Sequence, residues 1–392
     1  MTTTGRSVVA GAFTVDSSVF RHLSMACVVS MPPDSMSVNI DIHRIRGVFV
    51  ERIEVAVIGG GQAGLATAHA LIQQGLRPVV LEASDRPAGS WPRYYDSLTL
   101  FSPAPYSSLP GLPFEGDPER YPHRDEVVAY LTRYAGRLDA EVRTGTHAAT
   151  VDSNADARGK GFTVSLTGGE QLSARAVVAA SGTFGHPHLP ALPGMDRFEG
   201  TALHAADYRS PEQFTGRRVV VVGAGNSAVQ IAVELAGVST VSLTSRQPAR
   251  FAPQRILGRD MHFWLVHFGV DAAPIGRFLR TPPTQPVFDL GRYRTAIRSG
   301  APDWRPLFNR LDGRKVTWSD GVTEEVDAIV PATGYRPNLP YLERLSVMGD
   351  HGRPQHREGI SLAHDRLAFV GLEGQRSLSS NSLRGVAATP GG

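Results

Sequence analysis

Ile53-Glu54-Val55-Ala56-Val57-Ile58-Gly59-Gly60-Gly61-Gln62-Ala63-Gly64 is the stretch that decides the fold of this chain. An apolar, β-branched run ends in Gly59-x-Gly61-x-x-Gly64, and the residues from Leu65 to Gln74 predict a helix. In that order the glycines have separate tasks. Gly59 makes a tight turn, Gly61 lets the backbone approach a pyrophosphate, and Gly64 lets helix and strand pack closely. The free N–H groups at the helix start, at Gln62 and Ala63, are where phosphates would sit. A second strand is expected from Pro78 to Glu82, which ends in an acid 21 positions after Gly61. A carboxylate there accepts hydrogen bonds from a ribose. Strand, glycines, helix, strand and acid together indicate a site for an adenine dinucleotide. The alternative is a glycine turn that happens to follow a strand.

Composition narrows the class. A chain of 392 residues with 41% hydrophobic and 20% charged residues fits a folded protein of two or three domains. No apolar run reaches the roughly 18 residues that span a bilayer, so no membrane insertion is expected. A net charge of +3, with Lys160 and Lys315 the only lysines, forms no basic strip, and nucleic acid is not an expected partner. Cys27 stands alone, which removes a disulfide framework, a CxxC redox pair and a thiolate zinc cage. His186 and His188 flank a proline and read as turn residues, so no metal is expected. Residues 1–50 show no helix or strand period and no signal-peptide pattern, and they read as a disordered or non-native extension. Val50, three residues before Ile53, is where such a fold begins, and the native start is expected at or near it. A cytoplasmic protein is expected; its oligomeric state is left open.

The pattern then repeats. After Glu82, Arg86-Pro87-Ala88-Gly89-Ser90-Trp91 places Gly89 and Ser90 where they can meet flavin or ribitol, with Trp91 beside the ring. A surface loop anchored by one aromatic is the alternative. A long Pro-, Ser- and Tyr-rich loop covers residues 92–122, and a helix is expected from Arg124 to about Leu138. Phe162–Leu166 and Gln171–Arg175 read as a hairpin, and Ala176–Ala180 as a strand that ends at Gly182. Arg218–Val222 is a second buried strand, which runs into Gly223-Ala224-Gly225-Asn226-Ser227-Ala228 and a helix to about Ala236. Thr240–Thr244 is the next strand and ends in Ser245-Arg246. Lys315–Trp318 and Thr323–Val326 form another hairpin, and the strand Asp327–Pro331 ends in Ala332-Thr333-Gly334. The last strand reads Phe369-Val370-Gly371.

The two copies differ at one informative position. Arg246 stands 21 residues after Gly225, as Glu82 does after Gly61. An acid suits a free ribose 2′-hydroxyl and an arginine suits a 2′-phosphate. The first site therefore reads as FAD and the second as NADPH, against an alternative in which Arg246 is merely an exposed strand-end arginine. The expected fold is α/β, with two Rossmann-like dinucleotide-binding domains. The NADPH domain (191–334) is inserted in an FAD domain made of 51–190 and 335–392.

Between the fingerprints lies Phe198-Glu199-Gly200-Thr201-Ala202-Leu203-His204-Ala205-Ala206-Asp207-Tyr208-Arg209. Its Phe198, Gly200, His204 and Tyr208 match F-x-G-x-x-x-H-x-x-x-(F/Y/W). With that segment the chain resembles the class B flavoprotein monooxygenases, which include flavin-containing monooxygenases and Baeyer–Villiger enzymes. The resemblance covers roughly residues 50–386, takes in Tyr95-Asp96-Ser97-Leu98 and Ala332-Thr333-Gly334-Tyr335, and is greatest to compact bacterial members. It implies that NADPH reduces FAD, and that a C4a-hydroperoxyflavin formed with O2 passes one oxygen atom to a small substrate. Tyr208-Arg209 looks like the heteroatom-oxidising branch. His204 is the expected link between the nicotinamide and flavin domains, or else a hydrogen-bonded hinge histidine. Many flavin-containing monooxygenases carry an asparagine after the Tyr95–Leu98 segment; here Thr99-Leu100-Phe101-Ser102-Pro103 has none. That departure keeps a second reading, an NADPH oxidase that makes hydrogen peroxide; a third, from another class, is a non-catalytic FAD redox-sensing subunit associated with transport. The residues 92–122 and 251–286 are expected to line a substrate pocket.

Overall fold

A computed structural model describes residues 43–45, 48–156, 159–274, 286–349, 352–377 and 379–386. Within them, ten strands form one mixed sheet and five form a second. The parallel core of the first sheet runs Leu367–Phe369, Gln171–Ala179, Val48–Ile58, Pro78–Leu81, Glu141–Arg143. Numbered along the chain, that spatial order is 5-4-1-2-3, the doubly wound arrangement with its reversal beside Val48–Ile58. In the second sheet Asp303–Pro306, Thr240–Ser245, Arg218–Val222, Ala328–Pro331 and Thr201–Ala202 lie side by side, all parallel. All five of these strands come from residues 201–331, whereas the first sheet takes strands from both sides of that span.

The strand interiors explain this arrangement. Val55, Ala56, Val57 and Ile58 are all buried, as are Val219 to Val222, so both runs are covered on two faces. Helix Gln62–Gln73 packs Leu65, Ala66, Ala68 and Leu71 on one side of the first sheet. Helix Asn226–Leu235 packs Val229, Ile231, Ala232 and Leu235 against the second. Both helices start immediately after the second glycine of their fingerprint. The first begins at Gln62, three residues before the expected Leu65, because the main chain after Gly61 is already helical: Leu65 N donates to Gly61 O at 3.0 Å.

Three elements differ from the sequence reading. Gln171–Ala179 is one strand rather than a hairpin arm followed by a separate strand. Its first half pairs antiparallel with Gly159–Leu166 while its whole length pairs parallel with Val48–Ile58. A further strand, Ala148–Asp156, makes the hairpin three-stranded. The first strand reaches back to Val48 and pairs with His43–Ile45, so ordered structure starts inside the expected extension. Residues 1–42 of that extension lie outside the described residues, as does Cys27. Among the described residues no helix is long and apolar enough to cross a membrane.

Candidate functional site

The two glycine turns open onto one cavity of about 740 Å³. Gly59, Gly61, Gln62 and Ala63 line it from the first sheet, and Gly225, Asn226 and Ser227 from the second. The first turn is built by close backbone contacts. Gly59 has φ +112°, and a Cβ there would lie 2.6 Å from Ala180 O. Gly59 N donates to Leu81 O and Ala180 N to Ile58 O, both at 2.8 Å, so three strand ends are tied at the turn. Gly64 does not reach the cavity; its Cβ would stand 1.8 Å from Gly59 O, which makes it the helix–strand contact. Gly223 and Ala228 repeat that pairing in the second turn, behind the wall rather than on it.

Glu82 is buried at the end of the second strand, on the cavity wall. Its Oε2 accepts from Gly60 N at 2.6 Å, and its Oε1 accepts from Ser84 N at 2.8 Å and Ser84 Oγ at 2.6 Å. These bonds fix the carboxylate at the mouth of the first turn; each oxygen retains lone-pair capacity for a ribose hydroxyl. Gly89 faces Gly61: a Cβ on Gly89 would lie 2.9 Å from Gly61 Cα. Ser90 Oγ and Tyr94 OH are 2.9 Å apart. Trp91 Nε1 donates to Gln62 Oε1 at 2.5 Å, and Gln62 Nε2 donates to Asn381 O at 3.0 Å. Gln62 thus ties the helix start to the 86–91 loop and to the C-terminal segment. Gly371, with φ +81°, closes the same corner, where its Cβ would come 2.7 Å from Ala63 Cβ. Gly334 is on the wall with φ +85° and no heavy atom within 4 Å of a Cβ position.

Of the four residues expected to be catalytic, the structure brings one to the cavity. His204 lies on the wall; Phe198, Gly200 and Tyr208 do not. Phe198 packs in the core of the second sheet, and a Cβ on Gly200 would collide with its ring at 2.4 Å. Tyr208 is fully buried and donates its hydroxyl to Glu234 Oε2 at 2.8 Å. Those three hold the segment in place and do not line this cavity. Arg209 donates to Arg93 O, which joins the same segment to the loop beneath the cavity.

His204 Nδ1 accepts from Ala206 N at 3.0 Å, so the neutral ring carries its proton on Nε2. That Nε2 is buried and has no protein partner, and neither has Asn226 Oδ1. A buried donor and a buried acceptor without partners, both on one cavity wall, fit a polar ligand. The glycine gaps fit a pyrophosphate close to backbone, so the residues present suit the two dinucleotides. Burial holds the pKa of His204 below the ordinary 6.5. The unfolded chain then takes up a proton that the folded one refuses, and stability falls as pH drops below about 6.5 toward the folded value. Urea denaturation should show the stability of wild type relative to His204→Gln declining from about pH 7.5 to about pH 5.5. A difference that is flat across that range would mean the ring is not held neutral.

Ser245 and Arg246 sit at the end of Thr240–Ser245, off the cavity wall. Ser245 is buried; its Oγ donates to Gln247 O at 2.7 Å and accepts from Trp304 Nε1 at 3.1 Å. It supports the strand end instead of offering a free hydroxyl. Arg246 is exposed, and its guanidinium has no partner among the described residues. His188 meets Arg336 across 3.2 Å in the turn next to Gly334.

The expected pocket stretches contribute unequally. Arg93, Tyr94, Tyr95 and the run Leu98 to Ser102 line the cavity, but the described part of 251–286 does not. It stands behind the wall. Gln254 Nε2 donates to Phe101 O at 2.9 Å and to Asp260 Oδ2 at 2.8 Å. Asp260 Oδ1 accepts from His262 Nδ1 at 2.7 Å, and Tyr121 OH donates to Asp260 Oδ2 at 2.6 Å. Residues 275–285 lie outside the described residues. The sequence reading passed over Asn338, Glu373, Asn381 and Arg384, which also line the cavity. The Ser-rich run after Gly371 has no period, and only its packing identifies it as a wall.

Known proteins resemble this chain in sequence and fold. A family model described as pyridine nucleotide-disulphide oxidoreductase matches residues 56–257. Indole-3-pyruvate monooxygenase YUCCA1 of Oryza sativa subsp. japonica is 35% identical over 337 residues, covering 78% of this chain and 81% of the relative. An uncharacterized oxidoreductase CzcO of Bacillus subtilis is 30% identical over 85% of this chain and 95% of its own length. The solved flavin-containing monooxygenase from Stenotrophomonas maltophilia superposes with a TM-score of 0.75 at 30% identity, covering 86% of this chain and 95% of that one. A bacillithiol disulfide reductase from Staphylococcus aureus, 17% identical with a TM-score of 0.64, shares the fold. Disulfide exchange through a cysteine pair is not open to this chain, because Cys27 is its one cysteine.

Proposed function

This chain belongs to the class B flavoprotein monooxygenases, and from that premise we propose that it passes one oxygen atom of O2 to a soft heteroatom of a small substrate. It is an NADPH-dependent flavoprotein monooxygenase whose cofactors are FAD and NADPH. The observation that carries the reading is the single cavity shared by both glycine turns. Two dinucleotides bound at Gly61 and Gly225 point into the same space, as hydride transfer between them requires. In this reading the N–H groups at Gly61–Ala63 hold the FAD pyrophosphate, Glu82 holds its ribose, and Gly371 borders the ring. Gly225, Asn226 and Ser227 hold NADPH, with Arg246 on its 2′-phosphate. FAD, when bound, supplies the reaction with O2 that no side chain of this protein can perform.

The chain contributes position and dryness. Leu100, Phe101, Trp91 and Tyr94 make the wall apolar and limit water at the reacting end. His204 Nε2–H and Asn226 Oδ1 offer one donor and one acceptor to the nicotinamide half. The FAD-binding unit is proposed to comprise 51–190 and 335–392, with 191–334 inserted. The strand membership of the two sheets supports that division. Tyr208-Arg209 supports heteroatom oxidation over Baeyer–Villiger chemistry.

Oxygen uptake by purified protein with NADPH tests the proposal. A substrate that accelerates NADPH oxidation and suppresses peroxide supports a monooxygenase. Peroxide equal to the oxygen consumed, whatever the compound added, marks an oxidase. No NADPH oxidation by a flavin-loaded protein marks a redox-sensing subunit.

A further inference from the structure

Arg384 stands in the turn-rich segment after the last strand, on the cavity wall. Its side chain keeps 14% of its exposure. Only Nε is engaged: it donates to Asp271 Oδ1 at 3.0 Å and Oδ2 at 3.1 Å. The two terminal nitrogens, with four N–H donors, have no hydrogen-bond partner among the described residues. They are not among the polar atoms sealed from solvent without a partner, so they open onto accessible space. An arginine this buried ordinarily spends its forked end on a carboxylate. Here Asp271 holds it by the other edge and leaves the fork to the cavity.

The arginine is also firmly placed. Ser379 Oγ donates to Asp271 O at 2.9 Å, and Asn381 O receives Gln62 Nε2 at 3.0 Å, so the segment is fastened on both sides of the site. Leu98, Leu100, Phe101 and Leu383 line the same cavity. The carboxylates of the same cavity do not satisfy it: Glu82 is bonded to Gly60 and Ser84, and no ion pair joins Glu373 to Arg384.

We propose that Arg384 is the anion anchor of the substrate site, and that the substrate is a small organic acid with an apolar or aromatic body. The planar fork receives the carboxylate through paired N–H bonds, and the apolar wall receives the rest of the molecule. This rests on the monooxygenase reading for its purpose, but not for its test. The other anions such a wall could meet are the FAD pyrophosphate and the ring of the reduced flavin, and the experiment separates them from the substrate.

FAD-loaded protein is titrated, without NADPH, with matched pairs: phenylacetate against phenylacetamide and hexanoate against hexanamide. Binding is followed by the flavin absorbance change. Wild type should bind the acids about tenfold or more tightly than the amides. Arg384→Met should erase that preference, Arg384→Lys should keep part of it, and Asp271→Asn should weaken the acids and leave the amides unchanged. Equal binding of acids and amides by wild type, no binding of either, or a preference that survives in Arg384→Met overturns the proposal. So does a flavin midpoint potential that shifts in Arg384→Met while the acid-to-amide ratio holds, because the arginine would then serve the flavin. Far-UV circular dichroism shows that the variants are folded, and loss of FAD from a folded Arg384→Met protein would place the arginine on the cofactor and overturn the proposal. A wild type that binds the acids yet, with NADPH added, neither oxidises it nor consumes oxygen would sink the monooxygenase reading and leave the anchor standing.

Discussion

Gly61→Val is expected to give a folded protein that purifies without its yellow colour. The backbone at Gly61 has φ −80°, which any residue can adopt, so the substitution brings no strain of its own. A Cβ there would meet Gly89 Cα at 3.5 Å and Gly89 N at 3.9 Å, both ordinary contacts. The protein has room for the first added carbon; a pyrophosphate lying against the N–H groups of Gly61 to Ala63 does not. The loss should therefore fall on FAD and spare the fold. Gly64→Ala is the contrast. Its Cβ would be forced to 1.8 Å from Gly59 O, and helix and strand would have to separate, which belongs to the overpacking changes that cost more than about 4 kcal/mol. Flavin absorbance per mole of protein, read beside far-UV circular dichroism, distinguishes the two. A Gly61→Val protein with wild-type FAD content would overturn the assignment of the first turn to the cofactor.

Arg246→Ala is expected to weaken NADPH by about 10- to 150-fold and leave NADH nearly unchanged. The guanidinium is exposed and has no partner among the described residues, so removing it strips no buried carboxylate and should cost little stability. A charge-assisted bond to the 2′-phosphate is worth roughly 1.5–3 kcal/mol, and about 1.4 kcal/mol is a factor of ten. NADH lacks that phosphate. Arg250, four residues on and also exposed, is expected to share the contact, and Arg246→Ala/Arg250→Ala should then show the larger loss. Stopped-flow flavin reduction gives the apparent affinity of each nucleotide. An unchanged NADPH-to-NADH ratio in both variants would show that neither arginine reads the phosphate.

Much of the architecture could be read from local signals. Val55 to Ile58 and Val219 to Val222 are short, continuous apolar runs, and each runs into glycines that only a tight strand-to-helix turn explains. The two halves were legible as copies because that grammar recurs. What escaped reading depends on distant contacts. Gln171–Ala179 changes partners along its length, so half of it looks like a hairpin and half like a buried strand. The segment around His204 was recognisable as a motif, but a motif does not state which of its residues face a cavity. Tyr208 is spent on Glu234 and Phe198 on the core, and only the fold reveals it. Ser379 to Arg384 gave no signal at all, because Asp271, which orders that segment, lies more than a hundred residues earlier.

The strand Leu367–Phe369 pairs with Gln171–Ala179, nearly two hundred residues upstream. That separation sets an order of events on the ribosome. The second sheet draws every strand from residues 201–331 and can close while the rest is still being made. The first sheet must wait with one edge unpaired until the last strand emerges, and such long-range pairing is slow. The wall supplied by Gly371 and Arg384 arrives later still. Completion of the flavin wall therefore waits for the C-terminal segment, whereas the second sheet needs none of it.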